Sequence, residues 1–275
     1  MDGMIRFGGR VLYLSDRPEV VDAQLRGEDV ALADALPLRD NISTDEITPV
    51  TVMTVYDERL AEVPYVGFRS GERTPIGRGA IRSGGFGVAV GGQRYGKGSS
   101  RESSPLAELS AGIRLIVARG FERIYQQNCD NIGILTTTDF TVLDRIAAGE
   151  AIPIEVFLEG RDALSQQIIR SGGLLAYSRG VDWAAPGGAP AAAAPARTLV
   201  EKIIARHLQP GVAGAARGEG VFISTDWRFS HDYFTGMCAY LMHRGFGNPA
   251  PLHAPERIIA FQDHLVLAAQ SVPHV

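Results

Sequence analysis

Apolar residues fall along this chain in short runs separated by glycine-rich and charged stretches. Arg10-Val11-Leu12-Tyr13-Leu14, Gly87-Val88-Ala89-Val90 and Leu115-Ile116-Val117-Ala118 are brief and rich in branched residues, and each reads as a strand. Between the last two lies SSRESSPLAELSAGI. Leu106, Leu109 and Ile113 recur there at helical spacing, and the serines and Pro105 suit a helix start. FERIYQQNC reads as a second helix, and Ile132-Gly133-Ile134-Leu135 as the start of another extended run. Strands alternating with helices predict an α/β layer fold with a mixed or parallel β core flanked by helices.

Residues 181–197, VDWAAPGGAPAAAAPAR, break this pattern. Proline, glycine and alanine offer little to bury and interrupt helix repeatedly, so the segment reads as an exposed linker. It divides a domain of residues 1–180 from a piece of residues 198–275. In that piece Thr198 stands three residues before Glu201, a capping-box pattern, and Leu199, Ile203 and His207 share one helical face. Gly220-Val221-Phe222-Ile223 and Arg257-Ile258-Ile259-Ala260-Phe261 read as strands.

With 275 residues the chain has room for one large domain or two ordinary ones. A formal net charge of -4 argues against a general nucleic-acid binder while leaving room for a local basic pocket. The N-terminus shows no signal peptide and no stretch is long enough for a membrane span, so a cytoplasmic protein is the default expectation. Two cysteines, Cys129 and Cys238, make neither a disulfide framework nor a complete metal or iron–sulfur ligand set. Cys129 reads as a packed thiol, and Cys238, beside Met237 and Leu241, as core.

The chemistry concentrates in residues 91–102, GGQRYGKGSSRE. Glycines permit positive φ angles there, and a helix is expected to begin immediately afterwards. Its unpaired N–H groups and positive dipole end favour an anion, and Arg101 adds a planar fork suited to a carboxylate. The sequence matches neither a Walker A loop nor a G-x-S-x-G nucleophile elbow. The plain alternative is a surface loop with a serine cap and a solvated arginine.

Tyr95 through Asp139 resembles the swivel domain of the aconitase superfamily, with its Y/F-G-x-G-S-S-R-E loop, apolar helix, strand, and S/G-F-x-x-I-x-x-x-N-x-x-N-x-G element. Gly120-Phe121, Ile124, Asn128, Asn131 and Gly133 carry the last of these. Upstream, Asp40-Asn41-Ile42-Ser43-Thr44-Asp45-Glu46-Ile47-Thr48-Pro49 looks like the D-N-x-x-T-D-x-I-x-P motif of isopropylmalate dehydratase small subunits. One departure stands out: where the family continues R-E-H-A, this chain has Arg101-Glu102-Ser103-Ser104. In the C-terminal piece TLVEKIIARH, Ser230-His231-Asp232 and Gln262-Asp263-His264 are similar to the opening of the superfamily's large, cluster-binding subunit.

The resemblance implies roles. Ser99 is the candidate general base, Ser100 a hydrogen-bonding neighbour, and Arg101 a carboxylate clamp; a helix cap and a surface ion pair are the alternatives. Arg59 is a candidate for a second carboxylate contact, with Arg69 competing. Asp45 is buried-acid-like in the family and positions a partner residue, or else caps a turn. Asp263 and His264 match the pair that handles the departing hydroxyl, with a polar pair at a strand end as the alternative, and His231 is a candidate substrate contact.

The family's chemistry uses a [4Fe-4S] cluster held by three cysteines, one C-x-x-C pair and one apart, which this chain lacks. The expectation is therefore a hydro-lyase component for a small di- or tricarboxylate, inactive alone, whose cluster lies on a missing domain or partner subunit. Isopropylmalate-type dehydration is favoured over aconitase proper. The C-terminal piece is expected to be an incomplete α/β fragment with exposed apolar faces. A non-catalytic binding or regulatory module and a phosphate-binding protein are the rival readings.

Overall fold

The computed structural model describes residues 3–52, 55–98, 102–181, 198–208 and 217–262. In chain order its elements are β1 (Met4–Ile5), β2 (Arg10–Tyr13), α1 (Pro18–Leu25), α2 (Leu32–Ala35), α3 (Thr44–Ile47), α4 (Ala80–Ser83), β3 (Phe86–Gly91), α5 (Ser103–Ala111), β4 (Leu115–Ala118), α6 (Arg123–Ile132), β5 (Leu135–Thr137), α7 (Val142–Ala147) and β6 (Ile152–Pro153). These are followed by α8 (Ala163–Ser171), α9 (Leu174–Arg179), α10 (Leu199–His207), β7 (Arg228–His231), α11 (Asp232–Phe246) and β8 (Ile258–Phe261). The chain forms two compact units, Met1–Gly160 with Gln167–Tyr177, and Arg161–Gln166 with Ser178–Val275. Of the expected linker, residues 182–197 lie outside the described residues.

The first unit is built on a parallel sheet of order β2-β3-β4-β5. Val88 pairs with Leu115, and Leu115 in turn with Leu135. Every residue of β3 and β4 is buried, which is why both strands read as continuous apolar runs; a parallel sheet covered on both faces has no polar side. Alternation along the strands divides these residues between two cores. Leu12, Ala89 and Ile116 join Ile113, Tyr125 and Cys129 on the face covered by α5 and α6. Val88, Val90, Leu115 and Val117 join Val142 and Phe157 on the other. A short antiparallel pair, β1 with β6, makes the β structure mixed.

Helix α5 carries part of the expected apolar stripe, with Leu106 buried and Leu109 partly so, and the buried Ile113 follows just past its end. It begins at Ser103, so Pro105 is its third residue, where the missing N–H belongs to a first turn that has no internal acceptor. Gly112 and Gly133 end α5 and α6 in the left-handed conformation. The extended run after α6 therefore starts at Leu135, not at Ile132, which is still helical.

In the second unit Thr198 and Glu201 form a complete capping box on α10. Parallel strands β7 and β8 enclose α11 in sequence, and Phe229, Ile259 and Phe261 stand exposed on one face of that two-stranded sheet. Two sequence expectations are corrected. Gly220–Ile223 is not a strand: only Ile223 makes an isolated bridge, to Leu208, and among the described residues this short run has no neighbouring strand to pair with. Cys238 is exposed, and Met237 is the buried member of that turn of α11. Among the described residues no helix is long and apolar enough to cross a membrane.

Ile116, fully buried on the inner strand β4, tests the sheet. Ile116→Ala should lower unfolding free energy by about 3 kcal/mol through lost burial and the cavity left behind. Urea denaturation measures this, and a loss under about 1 kcal/mol would contradict the packing described.

Candidate functional site

Because the sheet is covered on both faces, its exposed chemistry is confined to the strand ends, and α/β folds place ligands outside the carboxyl ends. The loop that begins at Gly92 leaves the carboxyl end of β3 and leads into α5. It is fixed on two sides by backbone hydrogen bonds. The N–H groups of Gly96 and Lys97 both donate to the Ile42 carbonyl, at 2.9 and 3.0 Å, and Thr44 N–H donates to the Lys97 carbonyl at 2.8 Å. On the other side Tyr95 N–H donates to Gly120 O at 2.9 Å, and Glu122 N–H donates to Tyr95 O at 2.9 Å. Asp40 accepts from the Gln93 N–H at 2.6 Å. Arg94 adds side-chain bonds to Glu122 and Asn41. The three sequence motifs, far apart along the chain, thus meet at one end of the sheet.

Gly96 shows why the loop needs glycine. Its φ is +82°, and an added Cβ would lie 2.1 Å from Cγ of Tyr125. The same packing seats the loop directly on α6.

Helix α3 is anchored by its own capping box: Ser43 N–H donates to Glu46 Oε2 at 2.8 Å, and Glu46 N–H donates to Ser43 Oγ at 3.1 Å. Ser104 joins α5 to α3. Its hydroxyl lies 2.6 Å from Thr48 Oγ1 and donates to Thr44 O at 3.2 Å. In the family pattern this position is the alanine of R-E-H-A, so the departure from that pattern supplies a polar link. Ser103, in place of the histidine, has a buried hydroxyl with no hydrogen bond among the described residues. Burial pushes the Glu102 carboxyl above its ordinary range.

Ser99, Ser100 and Arg101 lie outside the described residues, as do Asp263 and His264. Asp45 is on the first turn of α3 and is exposed, which corrects the expectation of a buried acid there; in this capping arrangement the neighbouring Glu46 turns inward to Ser43. Arg59 is exposed, and its guanidinium grips Asp57 with contacts of 2.8 to 3.0 Å. Arg69 is exposed as well, but its backbone N–H reaches Glu46 Oε1 at 3.3 Å, beside α3. His231 belongs to the second unit, with Nδ1 3.8 Å from Asp232 and its ring edge-on to Phe234.

The buried acid of this region is Glu108, which sequence reasoning missed. It is fully buried on α5. The hydroxyls of Tyr65 and Tyr95 lie 2.6 and 2.8 Å from its Oε1, and Tyr125 donates to Oε2. Burial raises its carboxyl to about 7, against the opposing pull of the three phenols. All three phenols are themselves pushed well above the ordinary tyrosine range, chiefly by burial. A lone carboxylate inside the apolar stripe of PLAELSAGI was the available signal.

Among the described residues no three His, Cys, Asp or Glu side chains gather as a metal site. Cys129 is packed in the core of the first unit and Cys238 lies in the second. A cluster held by three cysteines does not fit this chain.

The Aconitase C-terminal domain family matches residues 83–139, the span from the end of α4 to just past β5. The 3-isopropylmalate dehydratase small subunit of Nitratidesulfovibrio vulgaris is 35% identical over 117 residues, 42% of this chain and 66% of that protein. That of Caldanaerobacter subterraneus subsp. tengcongensis is 31% identical over 160 residues, 53% of this chain and 95% of that protein. A solved 3-isopropylmalate dehydratase from Methanocaldococcus jannaschii aligns with 51% of this chain and 87% of its own, at 24% identity and a TM-score of 0.38. The chain belongs to the aconitase superfamily, as a member with a domain of the 3-isopropylmalate dehydratase small-subunit kind. It spans 66% of the length of the Nitratidesulfovibrio relative.

Gly96→Ala should cost about 2 kcal/mol or more, from the left-handed backbone and the collision with Tyr125. A shift in urea midpoint reads this, and an unchanged midpoint would contradict the loop geometry.

Proposed function

We propose that the chain is the swivel-type component of a hydro-lyase that removes and returns water on a small hydroxy di- or tricarboxylate. An isopropylmalate-type substrate is favoured. The observation that carries this reading is the meeting of the three motifs on the Gly92–Gly98 loop at the carboxyl end of β3, in a chain whose relatives are named as dehydratase small subunits.

In this reading Ser99 takes a proton from the substrate carbon. An unactivated hydroxyl is a poor base, so the nearby N–H groups and Arg101 must stabilise its alkoxide. Ser100 adds a hydrogen bond, and Arg101 clamps a carboxylate in bidentate fashion. Asp45 sits on the α3 side of the loop, where it orients a neighbour of the substrate. A second carboxylate contact falls to Arg59 or Arg69. The position of Arg69 beside Glu46 supports it, while Arg59 must first release Asp57. Asp263 with His264 handles the departing hydroxyl, the carboxylate holding the imidazolium, and His231 contacts substrate. The residues present do not hold a [4Fe-4S] cluster, so in the complete enzyme it is assigned to a partner domain or subunit of the large-subunit kind.

The test combines this chain with a cluster-reconstituted large subunit from the same genome and follows unsaturated acid formation from several hydroxy acids. Turnover should require both proteins. Ser99→Ala should lower kcat by at least about 100-fold, and Arg101→Lys should raise KM by roughly 10-fold or more because a point charge cannot replace the planar fork. Full turnover by Ser99→Ala would overturn the base assignment. Carboxylate binding without turnover in any combination would favour a non-catalytic binding module.

A further inference from the structure

Five oxygen atoms, joined by four hydrogen-bond contacts, meet in the core of the first unit. Tyr65 Oη, Tyr95 Oη and Glu108 Oε1 form a triangle with sides of 2.7, 2.6 and 2.8 Å. Tyr125 Oη closes on Oε2 as a fourth short contact. The phenols carry three protons between them. Four contacts at hydrogen-bond distance need four protons. With an ionised carboxylate, one side of the triangle has two oxygens facing each other with no hydrogen between them. A proton on Glu108 supplies the missing one.

We propose that Glu108 is a neutral carboxylic acid that acts as a positioning residue for the Tyr95–Gly98 loop and helix α5, and that losing its proton to solvent loosens this attachment. The four side chains come from four places: Tyr65 ahead of α4, Tyr95 in the loop itself, Glu108 on α5 and Tyr125 on α6. All are buried, so the ionised form has no water to turn to. Among the described residues the titratable groups facing Glu108 are these three tyrosines, with Cys129 of α6 beside Tyr65 and Tyr125, and no cation is among them. Tyr125 also packs under Gly96, so the same clasp holds both the side chain of Tyr95 and the backbone of the next residue. The rise of the Glu108 carboxyl to about 7 agrees with the proton count.

The sign follows from linkage. A carboxyl raised from 4.5 to about 7 on folding contributes stability that is complete below the unfolded value and is lost as pH rises through about 7. The folding equilibrium constant of the full chain should therefore fall by roughly two orders of magnitude between about pH 4.5 and about pH 8 from this group alone. Glu108→Gln, neutral at every pH, should lack that component, so the difference between the two proteins should grow along this interval.

The experiment measures urea denaturation of the full chain and of Glu108→Gln across that range. On the unaltered chain, NMR follows the glutamate side-chain carboxyl carbons and the exchange of the Gly96 and Lys97 amides. One glutamate should titrate near pH 7, and the two amides should exchange faster in step with it, beyond the intrinsic base dependence of exchange. Parallel pH dependence in the two proteins, or titration of every glutamate in the ordinary carboxylate range, would overturn the proposal. If Glu108→Gln fails to fold, the carboxyl titration and amide exchange of the unaltered chain still decide it. None of these measurements needs substrate or partner, so they succeed or fail independently of the hydro-lyase reading.

Discussion

The carbonyl oxygen of Ile42 accepts hydrogen bonds from two successive amides, those of Gly96 and Lys97, and the arrangement of the candidate site depends on that double contact. It can form only because Gly96 takes a positive φ and presses its bare Cα against the Tyr125 ring. The strand before the loop cannot move to compensate, since β3 is buried from end to end and paired on both sides. The loop is thus held at its base by backbone bonds to two other motifs. Helix α5 then begins two residues beyond Arg101, with Ser104 pinned to Thr44 and Thr48.

Beneath this backbone frame sits a polar cluster that the apolar core must accommodate. A buried ionised carboxylate without a cation is costly, and three neutral phenols offset only part of that cost. Keeping the proton on Glu108 removes the charge and completes the hydrogen bonds at once. Such networks specify one arrangement when every member is satisfied. Here the arrangement specified is the relative placement of the Tyr65 segment, the loop, α5 and α6. Conformational precision at the strand ends is therefore supplied by a polar group within a layer whose remaining members are largely apolar.

Much of this architecture was legible in the sequence, for reasons that are local. Gly87–Val90, the middle of β3, and Leu115–Ala118 read as strands because a doubly covered parallel strand is apolar along its whole length. Helices α5 and α10 were marked by periodicity and by the capping pattern of Thr198 and Glu201. The motifs on Asp40–Pro49, Tyr95–Glu102 and Gly120–Gly133 carried the family resemblance in the sequence, while their meeting at one end of the sheet is seen only in the fold. What escaped was non-local. Tyr65 lies 43 residues from Glu108 and Tyr125 lies 17 residues from it, so their meeting is a property of the fold. Asp45 resembled a buried acid by motif, but the short helix α3 directs Glu46 to its cap and leaves Asp45 exposed. Gly220–Ile223 had strand composition but, among the described residues, pairs only through one bridge from Ile223, and strand composition alone does not make a sheet.

The central claim is that the loop between β3 and α5 is a site for a small carboxylate, built jointly by three motifs. Amide chemical shifts of the full chain, followed during titration with a small hydroxydicarboxylate and separately with inorganic phosphate, test it most directly. The account predicts saturable shifts at Gly96, Lys97, Glu102 and Thr44 with the dicarboxylate and little change with phosphate. Signals that stay fixed with the dicarboxylate, or that move equally with phosphate, would contradict it.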